Sequence, residues 1–223
     1  MAQEAHDGGP WAAVGPAMCN ANPKTLLSWA GLFLHYGCCQ AASHARSADN
    51  LPWHNTSFKR RHLVAYGDRL ADILIVEGIL FNDLRAKGQE LRFEPGARTH
   101  HLNISLPSSW VRQAFWGGRL FGALRARAEN WPAGRRLLHA AGSPLVPLVR
   151  LRRTLRQIDE AGQRREMWPR ILPALLSGLV CHAAGEAVGY ALGPGPAPER
   201  YSYFEMRRTR HITARDRAAL GEE

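Results

Sequence analysis

Residues 171–192 read Ile-Leu-Pro-Ala-Leu-Leu-Ser-Gly-Leu-Val-Cys-His-Ala-Ala-Gly-Glu-Ala-Val-Gly-Tyr-Ala-Leu, with Glu186 the single acid. A stretch of this length and apolarity folds as one helix and is long enough to cross a bilayer. Glu186 and His182 oppose a simple span, because ionisable groups are costly in lipid. A helix inside a protein core and a helix lying on a membrane fit the run equally well. Gly193-Pro-Gly-Pro-Ala-Pro ends it. The polar residues beyond, 194–223, are expected to form a mobile tail.

Charge narrows the choice. The chain carries 29 Lys and Arg against 19 Asp and Glu, a net charge of +10. Residues 1–97 hold nine basic and nine acidic side chains, and residues 171–223 hold six of each. Residues 98–170 hold fourteen Arg, no Lys, and only Glu129, Asp159, Glu160 and Glu166. The whole excess therefore sits in one third of the chain. Arginine favours forked contacts to phosphate or carboxylate over a merely solvated surface. Such a run serves as a solvated helix face, a membrane-surface segment or a nucleic-acid footprint. Its apolar neighbours, 137–151 and 171–192, rank the membrane surface first. No zinc finger, aromatic RNA-binding signature or helix-turn-helix spacing accompanies the run, so nucleic acid ranks last and is not expected as a partner. Hydrophobic residues at 45% and seven Trp exclude a wholly disordered chain, and non-periodic Gly and Pro exclude a collagen-like one.

Hydrophobic spacing predicts several further elements. Residues 24–36 read as a short helix after Pro23, stopped near Gly37. Residues 51–58 read as a short strand. Residues 68–88 repeat apolar side chains at three- and four-residue steps (Leu70, Ile73, Leu74, Leu80, Phe81, Leu84), with Gly88 as the stop and Gly78 suggesting a break near Glu77. Leu91–Phe93 alternates like a strand ended by Pro95, and 97–103 is a second extended stretch. Residues 108–130 are helical, closed by Pro132. Residues 137–151 are apolar but carry Pro144 and Pro147.

Few residues offer chemistry. Glu77 sits on the apolar stripe if its helix is continuous. Burial there would raise its proton affinity and suit it to accept a proton near neutrality. If the helix breaks at Gly78, Glu77 is a solvated first-turn acid that favours the helix dipole. His100 and His101 follow an extended segment and suit a metal, a phosphate, or simply a hydrogen bond. Trp53-His54-Asn55 form either a polar rim with an aromatic platform or an ordinary turn. Cys19, Cys38, Cys39 and Cys181 include no CxxC pair. His35, Cys38, Cys39 and His44 match no familiar zinc spacing, which favours free thiols. The first ten residues lack a signal peptide's basic and apolar regions. The sequons at Asn55 and Asn103 are therefore not expected to be used.

Taken in order, these segments resemble the C-terminal half of a family 2 glycosyltransferase of the GT-A type. Leu51-Pro-Trp-His-Asn-Thr-Ser-Phe-Lys-Arg resembles its G-H-N-x-x-Y-basic-R strand. Glu77 with Leu84-Arg85-Ala86-Lys87-Gly88 resembles its E-D…L-R-x-x-G helix, and Glu77 falls at the base position. Phe93 to His101 resembles x-x-P-x-A-x-x-x-H, and Arg112 to Arg119 the basic aromatic helix that follows. Trp11-Ala-Ala-Val-Gly-Pro resembles a stretch just upstream. The likeness covers roughly residues 8–193.

The resemblance implies an α/β fold: a partial GT-A-like mixed sheet with helices over 1–130, a basic and apolar membrane-proximal helical region over 131–193, and the tail. It implies inverting transfer of a sugar from a nucleotide-sugar donor to a saccharide or lipid-linked acceptor. Glu77 would be the catalytic base, and His101 a contact to a divalent cation, Mg or Mn, or to the diphosphate. Trp53, His54, Asn55 and Trp116 would line the donor and acceptor sites. The work would be done in the cytoplasm, at the inner face of the membrane. The family's Asp-x-Asp metal motif and nucleotide-binding half have no counterpart in these residues. The chain is accordingly expected to be a fragment, complemented by a separate N-terminal half or inactive alone. A non-catalytic membrane-associated module is the alternative reading, and a basic nucleic-acid-binding protein the second.

Overall fold

The computed structural model describes residues 2–40, 45–52, 55–74 and 77–221, and only the backbone of residues 2–3, 71–72 and 77–79. In chain order the first elements are α1 (Ala2–Asp7), β1 (Ala13–Asn20), α2 (Leu26–Tyr36), β2 (Arg46–Ser47), β3 (Ser57–Phe58), α3 (Arg60–Val64), α4 (Leu70–Leu74), α5 (Glu77–Ala86) and β4 (Leu91–His101). Then come α6 (Pro107–Ala128), α7 (Ala133–Gly142), α8 (Val146–Glu160), α9 (Arg164–Met167), α10 (Leu172–Leu192), α11 (Ala197–Met206) and α12 (Ala214–Ala219). The chain is α/β, with a four-stranded mixed sheet and mostly helices. Contacts divide it into two units. The first is Met1–Cys19 with Tyr36–His101, and the second is Asn20–His35 with Leu102–Glu223. The expected boundaries at 130 and 193 are not where the contacts divide the chain.

The first unit is built on the sheet, in the order β2-β4-β1-β3. β1 lies inside it and is buried from Ala13 to Met18, as a strand with neighbours on both edges should be. β3 pairs antiparallel with it, Ala13 opposite Phe58 and Val14 opposite Ser57. β2 pairs antiparallel with β4, Arg46 opposite Phe93 and Ser47 opposite Arg92. Where two extended stretches separated by Pro95 were expected, β4 is one strand. Its pairing with β2 ends at Phe93, so on that side Pro95 lies where no ladder donor is required. The strand expected over 51–58 is confined to Ser57–Phe58. Leu80, Phe81 and Leu84 of α5 are buried, and the Phe81 ring stacks on Phe58 at 6.0 Å. Gly88 ends α5 as expected: at φ +73° it donates to Arg85 O, and Gln89 donates to Leu84 O, the paired bonds of a Schellman stop.

The second unit centres on α6 and α10. Residues meet in rising register: Trp110 lies against Gly178, Gly118 against His182, and Gly122 against Glu186. The two helices therefore run in the same direction. Gly118 and Gly122 on one, and Gly185 and Gly189 on the other, stand four apart and face the partner's backbone. Side-chain-free positions at this spacing let helix backbones touch. Around this pair α2, α8, α9 and α11 bury Phe33, Ile158, Met167, Phe204 and the start of α10 in one core.

Residues beyond Gly193 are not the free tail expected from their polarity. α11 buries Ala197 and Phe204. Backbone N–H groups of Ser105 and Leu106 both donate to His211 O at 3.1 Å. The Ser105 hydroxyl and the Thr213 hydroxyl both donate to the Asp216 carboxylate, which is 1% exposed. Polar side chains here join the segment to the unit rather than solvate it. Asn103 is 2% exposed and bonded to Asn20 and Asn22, so its sequon offers no accessible acceptor.

Candidate functional site

Of the residues singled out by sequence, Trp53 and His54 lie outside the described residues. Asn55 follows them in a turn at φ +66°, exposed, with its side-chain N–H 3.4 Å from the Thr99 hydroxyl. Of the helix expected over 68–88, Leu70–Leu74 (α4) and Glu77–Ala86 (α5) are helical, and residues 75–76 lie outside the described residues. Glu77 and Gly78 are both helical, so α5 is not interrupted at Gly78, and the Glu77 side chain lies outside the described residues.

His101 ends β4. Its Nε2 is 3.3 Å from the Tyr36 hydroxyl, and the two rings lie 4.8 Å apart. Among the described residues no three His, Cys, Asp or Glu side chains converge. His44 of the Cys-His group lies outside the described residues. The four cysteines form no disulfide.

Trp116 belongs to the second unit, apart from Asn55, Glu77 and His101. It stands on α6, one turn after Arg112. With Glu199, Arg200, Tyr203 and Phe204 of α11 these residues line a cleft of about 370 Å³. Phe204 is buried and Tyr203 is 41% exposed. Arg112, Glu199 and Arg200 are exposed, and their side chains have no hydrogen bond or ion pair among the described residues. Sequence reasoning picked out Trp116, but its companions come from eighty residues away and no spacing announced them.

The basic, apolar stretch resolves into α7 and α8. Pro144 opens the single turn between them and Pro147 lies in the first turn of α8, where a missing N–H costs nothing. Pro147, Thr154 and Ile158 face inward. At the corner Leu137, Leu138, Leu145, Leu148 and Val149 are 61, 72, 64, 66 and 71% exposed. Arg152, Arg153 and Arg156 continue the outward side of α8, all exposed, and Arg135 flanks the corner from α7.

Arg150, on α8, turns inward instead. Its NH1 is 3.0 Å from His182 Nδ1 and 3.8 Å from Glu186 Oε1, and His182 Nδ1 is 3.0 Å from Glu186 Oε1. Nδ1 serves one partner at a time: as N–H it donates to Glu186, and as a lone pair it accepts from Arg150. Burial holds His182 below the usual imidazole range, Arg150 adds to the effect, and Glu186 opposes it. The Glu186 side chain is 5% exposed. The two ionisable residues that argued against a simple span are thus paired within the helical unit. α10 is long and apolar enough to cross a membrane by length and composition. Here it is a core helix, with Leu176, Val180 and Leu192 exposed.

No protein-family model, curated protein or solved structure matches the chain.

Proposed function

We propose that the protein acts at a membrane surface, with the α7–α8 corner seated in the headgroup layer of an anionic leaflet. The observation that carries this reading is the exposure of Leu137, Leu138, Leu145, Leu148 and Val149 beside the exposed arginines Arg135, Arg152, Arg153 and Arg156. Five large apolar side chains exposed together are unfavourable in water. Each gains up to about 1.5–3 kcal/mol on full burial, and each arginine near an anionic surface adds about 1 kcal/mol. Sedimentation with phosphatidylserine-containing vesicles tests it. The full chain should co-sediment, lose affinity as salt rises, and lose it altogether in Leu138→Asp/Leu148→Asp. Equal binding by that variant, or no binding by the wild type, overturns the proposal.

Glycosyl transfer to an acceptor at that surface is a further proposal, drawn from the order of the sequence motifs and from the exposed corner that would hold the chain near a lipid-linked acceptor. Saturable hydrolysis of a nucleotide sugar by the purified chain supports it. Vesicle binding without turnover leaves a non-catalytic membrane module.

A further inference from the structure

The Trp116 cleft combines features that neither a solvated surface nor a plain anion site explains. Its volume, about 370 Å³, is within the range of small-molecule sites and larger than a single phosphate requires. Two guanidinium groups, Arg112 and Arg200, border it without a partner among the described residues. Unpaired, forked donors of this kind suit phosphate oxygens. Glu199 borders the same cleft, and its side chain is also unpaired among the described residues. A simple anion held by the arginines would be repelled by that carboxylate. A ligand carrying a positive group beside its phosphate would satisfy all three charges. Trp116 and Tyr203 supply aromatic surface to the same cleft as Glu199; the Arg207 guanidinium lies over the Tyr203 ring at 5.0 Å, and Trp and Tyr faces attract cations, quaternary ammonium groups among them. Glu199 and Tyr203 are four residues apart on α11, so they share one helix face. Arg112 and Trp116 have the same spacing on α6.

We infer that this cleft binds a zwitterionic phosphate ester of the phosphocholine type. The phosphate lies between Arg112 and Arg200, and the ammonium group lies against Trp116, Tyr203 and Glu199. The ligand is either a lipid headgroup or the free phosphoester, since both present the same chemistry. The inference stands apart from the α7–α8 membrane reading, because a soluble probe tests it without vesicles.

Calorimetric titration of the full chain with phosphocholine, choline, inorganic phosphate and glucose 1-phosphate decides it. Phosphocholine should bind at least about tenfold more tightly than choline or phosphate alone. Arg112→Ala/Arg200→Ala and Trp116→Ala should each weaken phosphocholine by about tenfold or more. Glu199→Gln lies on the surface and tests the charge pattern without threatening the fold. It should weaken phosphocholine and leave phosphate unchanged or tighter. Competition by phosphatidylcholine micelles assigns the site to the lipid, and its failure assigns it to the free ester. Absence of binding, equal binding of phosphate alone, or preference for glucose 1-phosphate overturns the inference, the last in favour of a saccharide site.

Discussion

Replacing Gly185 by alanine tests the α6–α10 crossing directly. A Cβ built there would stand 2.1 Å from the Phe115 carbonyl oxygen and 2.8 Å from the Arg119 nitrogen, both in the backbone of α6. No rotamer change can relieve a clash with backbone, so the helices must separate by more than an ångström. Separation would also loosen the contacts of Gly118, Gly122 and Gly189, whose own Cβ positions lie 2.0–2.6 Å from backbone oxygens. Overpacking of this kind costs about 1–3 kcal/mol, at times more. Opposing it, alanine gains up to about 1 kcal/mol over glycine in a helix. Because the obstacle is rigid, we expect the top of the overpacking range and a net loss of about 2 kcal/mol. For a chain of this size that lowers Tm by about 4–8 °C. Gly134→Ala on α7 is the control, since nothing lies within 4 Å of its Cβ position. The same propensity gain then acts unopposed, and Tm should hold or rise. Thermal unfolding followed by circular dichroism reads both. If Gly185→Ala melts at or above the wild-type temperature, the close crossing is refuted.

Two further predictions concern charge inside the helical unit. His182 and His211 are both held below the usual value of 6.5, chiefly by burial. The folded form therefore binds these protons less readily than the unfolded one. Their contribution is intact above pH 6.5 and is lost as pH falls toward the folded values, by up to about 1.4 kcal/mol per pH unit for each. Urea titrations across this window should show the slope, and His182→Gln should reduce it; a flat profile in the wild type refutes the assignment. Arg150→Met should cost about 3 kcal/mol, because Glu186 stays buried without its guanidinium. Adding Glu186→Gln should restore most of that loss, and no restoration would show that Arg150 acts through packing alone.

Much of the local structure was legible in the sequence because it depends on short-range chemistry. The spacing of Leu70, Ile73, Leu80 and Leu84 marked helix over both α4 and α5, and Gly88 marked its end. Pro23 and Gly37 bracketed α2, and Pro132 closed off α6. The long apolar run was one helix from Leu172 to Leu192. The failures share a cause: each residue's role depends on a distant neighbour. Pro95 was read as a stop, but β4 continues through it beyond its pairing with β2. The polar tail was read as solvated, but Ser105 supplies Asp216 and Thr213 with partners from more than a hundred residues away.

For the candidate site the division is the same. Composition and position by themselves determined that an arginine-rich, partly apolar segment would lie between the sheet region and the long helix, because charge and hydropathy are properties of each residue alone. Tertiary structure decided which arginines face water and which turn inward, as Arg150 does to His182 and Glu186 and Arg136 to the Tyr190 carbonyl. It also set Trp116 beside Glu199, Arg200 and Tyr203. Glycines four apart on α6 and α10 were visible in the chain. Their purpose emerged only when the two helices met, because a missing side chain carries information only through what occupies its place.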